Sequence, residues 1–212
     1  MRVPSSRSLP LLPCLLLAGW MAACGPDLLP DPGEPPDNED PGEQVPQDPN
    51  VKHVDHGDGT FTTTVDATSS EVWIGLDLDQ GRQADAAQDM KWDVAFQRFH
   101  IRTRGGVNGG GGVQVALLTG VDFAQVQQAP ATGYVTDAED GDDENTQPDT
   151  AFEAGENWYS YDPRTHLLTP RSQVYVLRTD EGAFFKIQIV SYYDAVGTPA
   201  MMQVRWGRVQ PS

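Results

Sequence analysis

Residues 92–102 read Trp92-Asp93-Val94-Ala95-Phe96-Gln97-Arg98-Phe99-His100-Ile101-Arg102. They run into Gly105-Gly106-Val107-Asn108 and four further glycines, and a second apolar run, Val113 to Leu118, follows at once. Aromatic, β-branched and charged residues alternate, which predicts a half-buried strand over Trp92 to Thr103. The glycines predict a mobile hairpin turn that returns the chain into Val113 to Leu118 as its partner. The pattern changes face partway: Trp92, Val94 and Phe96 share one side, while Phe99 and Ile101 share the other. A two-residue period switches face only through an extra residue or a sharp coil, expected near Gln97-Arg98.

Outward from this stretch, strand signals recur at short intervals. Thr60 to Val65 and Glu71 to Leu78 precede it, and Asp85 to Met90, with its alanines, is the one short helix-like segment. Gln173 to Thr179, Ala183 to Tyr193 and Met201 to Val209 close the chain. Asp180-Glu181-Gly182 has the chemistry of a tight hairpin turn between the first two of these. With no amphipathic helix of ordinary length, the expected class is all-β: an antiparallel, sandwich-like or half-barrel fold with little helix.

The N-terminal residues have a different character. Arg2 and Arg7, an apolar run from Leu9 to Trp20, and Met21-Ala22-Ala23 before Cys24 read as an export signal over residues 1–23. The run is too short to cross ~30 Å of hydrocarbon as a stable helix. A cysteine directly after the small residues resembles a bacterial lipoprotein signal, which implies lipidation of Cys24 and a membrane as partner through that anchor. The plainer reading is cleavage at Ala23 with Cys24 left as a free thiol. Gly25 stands where an aspartate would signal inner-membrane retention, so the outer membrane is the expected location. Residues 24–50, rich in proline and acids and without lysine, arginine or aromatics, read as a disordered tether. Residues 51–212 are left as one β-domain. It has no cysteine, so it must stand on its core, and about 150 residues suffice for that.

The chain has 31 acidic against 14 basic residues and a formal net charge of -17. Such a surface disfavours nucleic acid. A second acidic run, Asp137 to Asp149, lacks the Asp-x-Asp-x-Asp-Gly order of a calcium loop and reads as a solvated, mobile surface loop. His53, His56 and Asp58 could hold a divalent metal, but their spacing equally suits a solvated segment. No Gly-x-Ser-x-Gly, His-Glu-x-x-His or cysteine nucleophile occurs, so the protein reads as non-enzymatic.

Trp92-Asp93-Val94-Ala95-Phe96-x-Arg98-Phe99, Thr64-Val65-Asp66-Ala67, Val174 to Arg178, Phe185-Lys186-Ile187-Gln188 and Tyr192-Tyr193-Asp194-Ala195 resemble, in order, the HmuY-type haem-binding lipoproteins. The resemblance covers roughly Thr60 to Val209. It implies an all-β, exported, lipid-anchored protein that captures haem for iron acquisition, with an outer-membrane receptor as recipient. It also implies axial histidine or methionine ligands on loops at one end of the fold. Two departures stand out. The interval after Gly133-Tyr134-Val135 lacks the family's ligand-bearing insertion, and the second ligand position falls near Asp162 or Pro163. The donors available are imidazole and thioether groups. His166, in an aromatic, proline-broken turn, is the first candidate. His100 in the long strand and Met201 before the last strand are the others, each equally readable as an ordinary strand or core residue. The alternative to haem, or another small apolar ligand, is a non-catalytic structural or protein-interaction module on the same scaffold.

Overall fold

The computed structural model describes residues 48–88, 91–141, 148–153 and 156–212. The export signal, Cys24 and the tether as far as residue 47 lie outside the described residues. Asp48 and Asn50 already touch the domain: the Asp48 carboxylate accepts from Gln83 N–H, and Asn50 N–H donates to the Gln83 amide oxygen, each at 2.9 Å.

Thirteen antiparallel strands form the described fold, together with two single-turn 3₁₀ segments. β1 (Val51–Asp55), β2 (Thr60–Asp66), β7 (Gln114–Leu118), β8 (Tyr134–Val135), β11 (Val174–Arg178), β12 (Phe184–Tyr193) and β13 (Pro199–Arg208) make a seven-stranded sheet, in the order β1-β2-β13-β12-β11-β7-β8. β3 (Ile74–Asp77), β4 (Arg82–Asp85), β5 (Val94–Gln97) and β6 (His100–Thr103) make a four-stranded sheet, in the order β4-β3-β5-β6. β9 (Tyr159–Asp162) and β10 (Leu167–Pro170) form a separate two-stranded ribbon. The all-β expectation holds. Among the described residues no helix is long and apolar enough to cross a membrane.

The main core gathers Leu76, Val94, Phe96 and Ile101 from the smaller sheet with Tyr175, Leu177, Ile187, Met202 and Trp206 from the larger. Phe152 and Trp158 complete it. β11 is buried on both faces, because Phe123, Val126 and Ala129 of the 121–129 loop pack on Val174 and Val176 from outside. This two-sided burial explains its unbroken apolar run. Trp73, Ala84, Ala86, Trp92 and Ala95 form a third cluster.

Three sequence expectations fail in detail. Trp92 to Thr103 is not one strand. It is a hairpin in which Gln97 pairs with His100 across the two-residue turn Arg98-Phe99. Arg98 has φ 55°, and Phe99 is not in the positive-φ region, the pattern of a type II′ turn, whose first central position usually holds glycine. Arg98 is held there by bonds from its N–H to Ala67 O (2.7 Å) and from its guanidinium to Thr68 O (2.8 Å). The glycine segment therefore links the two sheets instead of closing a hairpin. A Cβ on Gly105 or Gly106 would collide with the carbonyl oxygens of Val113 and Asp137. Second, Asp85 to Gln88 is a strand end and a turn, not a helix; Asp85 takes the Ala87 N–H on its own side chain, the habit of a turn residue. Met90 lies outside the described residues. Third, β3 begins at Ile74, because Ser69 Oγ accepts both Glu71 and Val72 N–H and turns the chain there, leaving Val72 exposed.

Candidate functional site

One end of the fold collects the aromatic side chains that the sequence scatters. The tip of the β5–β6 hairpin brings Phe99, which lies 6.0 Å from Tyr159 between ring centroids. Tyr159 meets Trp158 at 4.9 Å, Trp158 meets Tyr192 at 6.2 Å, and Tyr192 meets Tyr193 at 5.0 Å. Three bonds lock the assembly. Trp158 Nε1 donates to Phe99 O (3.0 Å), Leu168 N–H donates to the Tyr193 hydroxyl (3.1 Å), and Arg171 Nε donates to Tyr159 O (3.1 Å). The β9–β10 ribbon, outside both main sheets, is thereby stapled to β12. Burial raises the phenol pKa values of Tyr159 and Tyr192, with Glu153 adding to the rise at Tyr159, so both stay protonated at neutral pH.

The predicted donors divide across this end. His166 sits in the turn of the β9–β10 ribbon at φ 59°, exposed, its Nδ1 2.5 Å from the Tyr161 hydroxyl. His100 opens β6, half-buried, stacked on Phe99 at 4.1 Å and donating from Nδ1 to Glu153 at 3.3 Å. In both rings Nδ1 is the engaged atom, and among the described residues Nε2 has no protein partner. That arrangement suits a metal-ligating imidazole, whose second nitrogen is oriented by a hydrogen bond. Met201 is placed differently. Met202 is fully buried in the main core, so its neighbour Met201, half-buried, faces the other side of the large sheet.

His100 also lines a cleft of about 220 Å³ with Trp73, Arg102, Asn108, Thr150 and Glu153. The Arg102 guanidinium lies over the Trp73 ring, 4.1 Å from its centroid. This cleft falls below the ~300–1,000 Å³ usual for small-molecule sites. Glu153 was not foreseen as a partner of His100, because the two lie far apart in sequence and nothing local connects them.

The remaining histidines are structural. His53 Nδ1 bonds Thr63 Oγ1 at 2.8 Å with its ring edge toward Trp206, and burial lowers its pKa despite Asp48. His56 Nε2 bonds Thr62 at 2.9 Å. The acidic run is not solvated from its start. Asp137 is buried and accepts from Thr103 N–H (2.7 Å), Asn108 Nδ2 (2.9 Å) and Ala151 N–H (3.0 Å). Its aspartate-rich context hid this anchoring role; residues 142–147 lie outside the described residues.

Among solved structures, a HmuY-like haem-binding candidate from Bacteroides vulgatus is similar at 18% identity and TM-score 0.55, covering 74% of this chain and 96% of that one. A lipoprotein candidate from Bacteroides fragilis is similar at 20% identity and TM-score 0.54, with 73% and 93% covered. The apo HmuY analogue of Tannerella forsythia is similar at 17% identity and TM-score 0.54, with 76% and 97% covered. At these identities the likeness shows the fold. No curated protein matches the chain. The family described as HmuY protein matches residues 69–206, well over half of the sequence, from before β3 into β13. The chain belongs to the HmuY family.

Proposed function

We propose that this is a haem-binding protein that captures haem at a membrane surface for iron acquisition, held there by a lipid on Cys24 and the tether that follows it. The observation that carries the reading is the aromatic end, where His100 lies against Phe99 of a chain of five aromatic rings and His166 stands in the ribbon turn beside Tyr161, each with a free Nε2. Haem iron takes imidazole axial donors, and flat apolar walls suit its macrocycle. His166 is the first axial donor in this reading and His100 the second. Arg98, Arg164 and Arg171 supply cations at this end for the propionates. Beyond axial coordination of the iron, binding here calls for no chemical change in the haem, in keeping with a non-enzymatic role.

A second reading, a protein-interaction or structural module without cofactor, is favoured by the small cleft beside His100 and by Glu153 on that ring. A haem titration of the full chain separates the two. Capture predicts a saturable Soret shift at one-to-one stoichiometry, weakened at least tenfold, about 1.4 kcal/mol, in His166→Ala and unchanged in His53→Ala. A non-saturating titration would leave the module reading. Anchoring has its own check: Cys24→Ala moves the protein from the membrane to the soluble fraction, and a variant that still sediments with membranes removes the lipid from the account.

A further inference from the structure

At the opposite end of β5, three carboxylates come together from segments that the sequence separates. Asp77 ends β3, Asp79 lies in the β3–β4 turn, and Asp93 immediately precedes β5. Each offers an oxygen within 4.8 Å of the others. Asp77 and Asp93 are buried, at 3% and 0% exposure. Part of their hydrogen-bonding capacity is used locally: Leu78 N–H donates to Asp93 Oδ2 and Gln80 N–H to Asp77 Oδ1, each at 2.9 Å. Asp93 Oδ1 and Asp79 Oδ2 are buried with no partner.

The nearby cations leave both of these oxygens without a hydrogen bond. Arg82 reaches Asp77 at 3.7 Å from an exposed position, and Arg104 is ion-paired with Asp180 of the β11–β12 hairpin. Asp180 itself adds negative potential at Asp77 and Asp93. A fully buried carboxylate with an idle oxygen beside two like charges is unfavourable unless something positive fills the gap. Oxygen is a hard ligand, and calcium binds oxygens at ~2.3–2.6 Å, which lets two ligands of one ion stand up to ~5 Å apart. The observed spacing spans one such ion. Magnesium, at ~2.0–2.1 Å, draws its ligands closer and dehydrates reluctantly.

We infer that Asp77, Asp79 and Asp93 form a site for a hard divalent cation of calcium size, which ties the β3–β4 turn to the start of β5. The two idle oxygens are the observation that points to a ligand, beyond the presence of acids. The site is independent of the haem reading, since it sits at the other end of the strand. With three protein carboxylates and water completing the shell, its affinity falls in the weak class typical of extracellular modules, Kd on the order of 10⁻⁴–10⁻³ M. The competing arrangement is a proton on Asp93, whose pKa is pushed up to about 7 by burial and by its acidic neighbours Asp79, Asp180 and Asp77.

Calcium titration of the chelator-treated full chain by calorimetry at pH 8, paired with thermal unfolding, decides between them. The expected result is saturable one-to-one binding and a raised Tm. The affinity falls at least tenfold and the Tm rise shrinks in Asp79→Asn and Asp93→Asn, and both persist in Asp140→Asn, which removes a charge from the separate acidic run. Should Asp93→Asn fail to fold, Asp79→Asn, at a partly exposed position, carries the decision alone. Absence of saturable binding up to several times the expected Kd overturns the site, as does binding that Asp79→Asn leaves intact. Equal affinity for magnesium overturns the size argument.

Discussion

Past Gln97, at one end of β5, aromatic rings pack edge to face or tilted and are tied by hydrogen bonds to neighbouring backbone. Before Val94, at the other end, three acids crowd together with two oxygens idle. The first end is satisfied: Trp158, the Tyr193 hydroxyl and Arg171 each have defined partners. The second holds two buried oxygens without a partner, which a proton or a cation would satisfy. The difference teaches that a cluster of polar atoms is informative in proportion to what it lacks. Asp137 makes the point from within the same half of the molecule, because it is as buried as Asp93 but accepts three donors and asks for nothing more.

The largest expected effect breaks the satisfied end. Trp158→Ala removes a ring that is 1% exposed and orphans the Phe99 carbonyl, so it costs ~3–5 kcal/mol in chemical denaturation. A loss under ~1 kcal/mol would show that the ring does not bind the hairpins together.

The second prediction sharpens the unsatisfied end and concerns pH. Asp93 has a native pKa of about 7, above its ordinary value, so the folded state holds a proton that the unfolded state has already released. The stability this proton contributes is complete below about pH 4 and is lost as pH rises toward 7. In chelator, the unfolding free energy should therefore fall by a few kcal/mol across that window for this group, with a clearly smaller slope in Asp93→Asn. Identical slopes for the two proteins would place the titration elsewhere.

The smallest effect is expected at His166. Its ring is exposed and bonded only to the neighbouring Tyr161, so His166→Ala changes stability by no more than ~0.5 kcal/mol. Measured beside its haem titration, this separates a ligand from a prop: a large loss of stability would make any haem defect a folding defect.

The sequence made the strand content legible, because alternation and turn residues are local. Asp180-Glu181-Gly182 does close β11 onto β12, with Gly182 at φ 81° and its N–H on Thr179 O. The Arg98-Phe99 turn was hidden because neither residue is a usual turn former, and tertiary bonds to Ala67 and Thr68 hold it. The face switch was seen, but its cause was a reversal of the chain, not a bulge. At the candidate sites, residue types were legible and neighbours were not. His166 announced itself through Tyr161 and Pro163, whereas the pairing of His100 with Glu153 and of Asp77 with Asp93 depends on contacts between distant segments.

The pairing of β2 with β13 has a consequence for the order of events in folding. It places residues 60–66 beside 201–207 inside the large sheet, so that sheet cannot be completed until β13 is in place. Loop closure over so long a span makes assembly slow compared with local hairpins. Until then β2, paired with β1 alone, presents an open edge, and the small sheet, built from nearby segments, is free to form first.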